Sequence, residues 1–295
     1  MEKFGWSMVA VVILLFSALL VGISNEKSVE PLRCSSDIFL SEYVAYVYAC
    51  QNDTISVPTY WCPSRIKKNV SVTLHLPSFN AWVNYDRSGI HKSHRGYFKL
   101  QIPITVTLNH SESIKNLSLN VLIRDLNTEK EKNLILPFGN WSFEIGTRNP
   151  HDLVVVEHRE EIFTPKMDTA FITYGLGLFN PANMTVYIMN LSYSINHSKV
   201  STMAIACYNV TSISDLPWIN KLEDIPQNLR LSSEGCPVPP GKKIYVLAYI
   251  KVDPSVKMLL LRPKITYKIG NRTEFMPGGT MRFIRMPEMC ECEFG

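Results

Sequence analysis

The sequence predicts an all-β chain: two tandem β-sandwich domains, residues 34–160 and 161–295, behind a single N-terminal transmembrane helix. Three observations predict it. Apolar and polar residues alternate in short runs, which is the period of a half-buried strand. Turn signals separate those runs at the close spacing that sandwiches require. No long amphipathic pattern appears after the N-terminal segment.

That segment is the one long helical stretch. From Phe4 to Ser24 there is no charged side chain, and Trp6–Val21 is almost wholly apolar. A helix of about 20 such residues spans about 30 Å, the thickness of a bilayer core. The flank Met1-Glu2-Lys3 carries a weak positive bias, which favours keeping the stub inside and exporting the residues after Ser24. Residues 1–24 therefore read as a transmembrane anchor or as a signal peptide, for which Gly22-Ile23-Ser24 offers a small-x-small exit. Residues 25–33, polar and containing Pro31, read as a stalk.

The strands follow in order. Tyr43–Ala49 is β-branched and aromatic; Val70, Val72, Leu74 and Leu76 alternate cleanly with Ser71, Thr73 and His75. Asp86-Arg87-Ser88-Gly89 is a turn. Ile102 to Leu108 is a strand that Pro103 assigns to an edge. Leu117–Ile123, Leu134–Leu136, Trp141–Ile145 and Leu153–Val156 complete the first half. The charged stretch Glu157-His158-Arg159-Glu160-Glu161 reads as a solvated crossover between the halves.

The second half resumes at Phe171–Phe179 and turns at Asn180-Pro181. Strands then run through Met184–Ile188, Leu191–Ile195 and Met203–Val210. Residues 215–235 break the alternation and read as a lid-like insertion, in which Asp215 caps a short helix with Pro217 in its first turn. Pro239-Pro240-Gly241 leads into Ile244–Val252, followed by Met258–Leu261. Ile265–Ile269, Gly270-Asn271 and Arg272–Phe275 form a hairpin with a two-residue turn, and Thr280–Ile284 is the last strand.

Two further features place this body outside a cell. Asn-x-Ser/Thr sequons begin at Asn52, Asn69, Asn109, Asn116, Asn140, Asn183, Asn190, Asn196, Asn209 and Asn271. Chance pairing of the asparagines with Ser/Thr would give about three, and N-glycosylation belongs on exported surfaces. In six of them the middle residue is apolar: Val70, Leu117, Trp141, Met184, Leu191 and Val210. On a strand, Asn and the hydroxyl residue then share one face while the middle residue takes the other. Second, the seven cysteines suit an oxidising compartment. Cys50 with Cys62, and Cys207 with Cys236, flank loops and are candidate disulfides; Cys34 is left to join one of Cys290 and Cys292. Cys290-Glu291-Cys292 lacks the two-residue spacing of zinc and thioredoxin sites.

The Asn180-Pro181 turn, the alternating strand after it, and Pro239-Pro240-Gly241 before Ile244–Val252 resemble immunoglobulin- or fibronectin-type sandwiches. The same residues are faintly similar to the water-stress domain of late-embryogenesis-abundant group 2 proteins, and the tandem layout to archaeal surface proteins. The resemblance implies an Ig-like fold and no particular function.

Sites for chemistry are sparse. The net charge of +4 is scattered and does not argue for nucleic acid or an acidic substrate, so no nucleic-acid partner is expected. His91 and His94 lack partners at zinc spacing, and Gly175-Leu176-Gly177 lacks the third glycine and the helix of a dinucleotide site. Tyr60, Trp61, Trp82 and Tyr85 are candidates for an exposed aromatic platform. The expectation is a non-catalytic cell-surface glycoprotein with no cofactor or metal, held to the membrane by its helix or secreted. Its role is structural or the engagement of a protein or glycan partner. The alternatives are a carbohydrate-binding module assisting an exported enzyme or transporter, and a secreted hydrolase using His91 or His158.

Overall fold

The computed structural model describes residues 36–64, 69–148, 153–164, 169–219, 221–224 and 229–286. The apolar leader, the stalk, Cys34, Cys290, Glu291 and Cys292 lie outside the described residues. Among the described residues no helix is long and apolar enough to cross a membrane.

The described chain is all-β, with only short 3-10 turns between strands. In chain order the first strands are β1 (Ile38–Leu40), β2 (Tyr43–Cys50), β3 (Thr54–Cys62), β4 (Val70–Leu76) and β5 (Ala81–Tyr85). There follow β6 (His91–Lys92), β7 (Phe98–Thr105), β8 (Glu112–Asp125), β9 (Glu131–Gly146) and β10 (Val154–Phe163). Next come β11 (Ala170–Phe179), β12 (Val186–Ser192), β13 (Val200–Tyr208), β14 (Cys236–Val238) and β15 (Lys243–Val252). The last are β16 (Met258–Arg262), β17 (Lys264–Ile269), β18 (Arg272–Pro277) and β19 (Met281–Ile284).

Four sheets result, ordered β1-β3-β7-β6, β19-β16-β2-β9-β8-β4-β5, β10-β11-β15-β13 and β14-β12-β17-β18. The first two enclose one core, where Val57, Leu100 and Ile102 meet Val72, Leu74, Leu119 and Phe143. The last two enclose a second, where Ile172, Leu176 and Val246 meet Val186, Ile188 and Tyr267.

The halves of the chain are joined through the seven-stranded sheet. β16 pairs with β2 in parallel, and β19 extends the sheet antiparallel beyond it. β2 therefore sends Tyr43, Ala45, Val47 and Ala49 into the first core, and Tyr46 and Tyr48 into the second. β16 does the same with Met258 and Leu260 against Leu259 and Leu261. Strands buried on both faces read as continuous apolar runs, which is why YVAYVYA and MLLL show no alternation.

Several expectations are corrected. Cys50 and Cys62 do not flank a loop: after a tight turn at Gln51–Asp53, β3 runs straight to Cys62. Pro58 sits beyond the end of β1, where one flank of β3 is open and a missing N–H is tolerated. Pro103 has the same freedom, since β6 pairs with β7 only at Phe98 and Lys99. The charged stretch at 157–161 is no crossover but the middle of β10, an edge strand paired with β11 along its length. A bulge at Val156 and charges on both faces suit such an edge. Leu134–Leu136 and Trp141–Ile145 belong to one strand, β9. Asp215 does not cap a helix: Ser212 is the N-cap of a single 3-10 turn, and Asp215 closes the capping box from its end.

The hairpin at Lys264–Pro277 forms as expected, with Ile269 opposite Arg272 and Gly270 at φ 56° in the turn. The Asn180-Pro181 turn also forms. Asn180 is fully buried and donates to the carbonyls of Met184 (2.8 Å) and Val238 (2.7 Å) while accepting from Ala182 N–H. Its backbone bonds to Lys242 and Gly241 tie this turn to the Pro239-Pro240-Gly241 turn.

Candidate functional site

All ten sequon asparagines are exposed, and none of the ten Ser/Thr partners is buried. The middle residues Val70, Leu117, Trp141 and Leu191 are buried, because each lies on a strand with its neighbours turned outward. Met184 is exposed instead, in the β11–β12 connection. Asn116 and Asn140 stand together on the outer face of the seven-stranded sheet, where Asn140 Oδ1 accepts from Asn116 N–H at 3.0 Å. Asn52 and Asn271 occupy turns; Asn109, Asn183 and Asn196 lie in loops.

Cys207 and Cys236 form a disulfide, as their spacing suggested. It closes the insertion, whose residues Ile213, Leu216 and Ile219 cover the outer face of β11 and β15 against Phe171, Tyr245, Leu247 and Tyr249. This covering explains the Gly175-Leu176-Gly177 motif. A Cβ on Gly175 would sit 2.9 Å from Leu216, and one on Gly177 would sit 2.8 Å from Glu157. The glycines make room for protein, not phosphate. Cys50 is a free, buried thiol, whereas Cys62 is disulfide-bonded; the Cys50–Cys62 pairing is therefore excluded.

Beside Cys50 lies a cluster that sequence reasoning missed. Asp53, only 5% exposed, accepts from Cys50 N–H at 3.1 Å and pairs with Arg262 at 2.9 Å and with Arg148. Burial raises the Cys50 thiol pKa, and the negative charge of Asp53 adds to the rise. Nothing in the sequence marks the partners, which come from β16 and the end of β9. On the opposite side, Glu157 accepts from Tyr245 (2.5 Å) and Lys243 (3.0 Å), which hold its pKa below the usual range. Arg159 stacks on Trp218 at 5.0 Å. The first ties β10 to β15, and the second anchors the insertion to β10.

The expected aromatic platform is not assembled. Tyr60 and Trp61 are buried, and Tyr85 is half-buried, accepting from Gln101 N–H and donating to its carbonyl. Trp82 alone of the four is fully outside, at 67% exposure. Its cross-strand row reads Trp82, His75, Asn120, Ile135, with no second Trp, Tyr or Phe. Among the described residues no hydrogen bond joins His91 or His158 to a serine or a carboxylate, and the His94 side chain lies outside the described set. Among the described residues no group of three His, Cys, Asp or Glu is placed to hold a metal ion.

No family model and no curated protein matches the chain. Among solved structures it is similar, at 9% identity and a TM-score of 0.26, to a membrane-anchored protein from Corynebacterium diphtheriae, over 88% of this chain. It is also similar to a marsupial T cell receptor, at 9% identity and a TM-score of 0.24, over 84% of this chain. The alignment spans 61% of the length of each of those chains, and likeness at this level places the present chain in no family.

Proposed function

We propose that this chain is a non-catalytic glycoprotein of a cell surface, with a structural or partner-binding role, held there by its N-terminal apolar segment or released by cleavage after it. One observation carries the reading: ten sequons, three times the number chance would place, all present their asparagine to solvent. Glycans on those positions would cover the outer faces without entering either core. The polar clusters support the same reading, since Asp53 and Glu157 are engaged in holding strands together.

The test is expression in a glycosylating host, with glycosidase digestion followed by intact mass, and protease treatment of whole and of lysed cells. A mass loss on deglycosylation, together with cleavage of the body on whole cells, is expected. Bare asparagines and a body cut only after lysis would sink the proposal.

A further inference from the structure

A cleft of about 430 Å³ opens on the side of the second core, between the C-terminal half of β12 and β13. Both strands are edges there. β13 is last in its sheet, and β14 covers β12 only over Val186–Ile188. On the flank of β13 away from β15, the Leu229 carbonyl accepts from Ile205 N–H at 2.9 Å, and Leu229, Arg230 and Leu231 bound one end of the cleft. Leu191, Ile205 and Leu231, all packed into the second core, give the opening apolar walls. Ser201, His197 and Arg230 add hydroxyl, imidazole and guanidinium groups to the lining. Tyr193 is fixed as a further wall by the Thr202 hydroxyl, which donates to its phenol oxygen at 2.8 Å.

One of the ten sequons is built into this cleft. Asn190 and its hydroxyl partner Ser192 both line it. Asn209 lines a neighbouring cleft of about 800 Å³, but its partner Thr211 does not. The placement comes from the register shift between Ile188 and Asn190, which sets Met189 aside as the extra residue. Asn190 and Ser192 then flank the core residue Leu191 at the open edge. Asn190 Oδ1 accepts from Leu191 N–H at 2.8 Å, which fixes the amide and leaves Nδ2, the atom that carries an N-glycan, out of that bond.

We infer that the cleft seats the reducing-end sugars of an N-glycan carried by Asn190. The inference rests on the reading that the sequons are used. In the transfer, Nδ2 bonds to the anomeric carbon of a polyprenyl-diphosphate-linked glycan, the bond from that carbon to the diphosphate breaks, and the amide gives up one proton. A hexosamine ring has an apolar C–H face and a rim of polar groups, which match the apolar walls and the polar lining. The volume lies within the range of small-molecule sites. Attachment to the asparagine makes the contact intramolecular, so it escapes most of the translational cost that a free sugar would incur. Seated there, the glycan also covers two strand edges that would otherwise template another chain.

The experiment uses the full chain from a host that adds oligomannose glycans, with the occupancy of each site read by peptide mass spectrometry. On the folded protein, endoglycosidase H should release the Asn190 glycan about tenfold more slowly than those of the turn sequons Asn52 and Asn271, the ratio that about 1.4 kcal/mol of seating imposes. The difference should vanish once the chain is denatured and reduced. Ser192→Ala removes the Asn190 sequon but keeps the asparagine, and should lower the melting temperature by about 3 °C. Thr273→Ala, which removes the Asn271 sequon, should leave it unchanged. Ser192→Ala in chain from an oxidising host that does not glycosylate should also have no effect, which separates the sugar from the side chain. Equal release at the three sites, an equal loss from Ser192→Ala in both hosts, or a bare Asn190 beside occupied sequons would overturn the inference and leave the glycoprotein reading standing. Ten bare asparagines would overturn both.

Discussion

At the scale of single residues, two carboxylates show how environment decides the role of an acid. Asp53 and Glu160 are both shielded from water, but Asp53 is enclosed by a backbone N–H and two arginines. Glu160 is desolvated first of all, and the attraction of His158 and Arg282 does not fully offset that; its pKa is raised above the ordinary carboxylate value. A raised acid pKa contributes stability that is fully present below the unfolded value, near 4, and lost as pH rises through the folded value. Glu160→Gln removes that loss. Thermal denaturation should show the variant melting above the parent at pH 7, with the difference closing as pH falls toward 4. A parent that stays the more stable at pH 7 would mean that Arg282 outweighs burial. Four sequon asparagines were legible at this same scale, because the buried middle residues Val70, Leu117, Trp141 and Leu191 announce which face is wet. The Asp53 cluster was not: Arg148 and Asp53 stand 95 positions apart, and isolated cations in a sequence look like solvated ones.

At the scale of elements, alternation located the strands with one buried face and the turns between them. It misjudged elements whose pattern is set by pairing. β10 looked like a crossover because an edge strand between two polar environments carries charges on both faces. β12 and β13 each contain a register shift, between Ile188 and Asn190 and between Thr202 and Ala204, so their alternation changes phase midway. β9 looked like two strands for a similar reason. Opposite Leu117 and Ser118 it passes from Gly139 to Pro137, leaving Phe138 as the extra residue. Gly139 holds φ 92°, and a Cβ there would lie 1.9 Å from the Tyr43 carbonyl oxygen. The parallel ladder between β2 and β9 starts at that contact. Gly139→Ala therefore combines a backbone conformation unsuited to L residues with a clash against main chain that cannot rotate away. Equilibrium urea unfolding should show a loss of about 3 kcal/mol or more, at the severe end for point substitutions. A loss under about 1 kcal/mol, the cost of an ordinary glycine replacement, would show that β2 and β9 can separate at this end.

For the whole molecule, the tandem sandwiches expected from the sequence carry one thermodynamic expectation, and the sheet shared between the halves of the chain makes the opposite one. Independent sandwiches would melt in two steps with little effect on each other. Here β2, near the start of the described chain, is paired on one side with β9 and on the other with β16, from the far end. Loss of the second core would leave Tyr46, Tyr48, Leu259 and Leu261 facing water from strands that the first core still holds. Each fully exposed large apolar side chain costs about 2 kcal/mol, so these four alone would remove an amount comparable to the net stability of an ordinary domain. Neither core can open without stripping the other. Differential scanning calorimetry on the purified chain should therefore give one transition with calorimetric and van't Hoff enthalpies in agreement, despite a length at which chains often unfold in parts. Leu260→Ala, which faces the first core, and Leu259→Ala, which faces the second, should both lower that single melting temperature. Two resolved peaks, with each substitution shifting only its own, would show that the parallel contact between β2 and β16 is too weak to couple the halves.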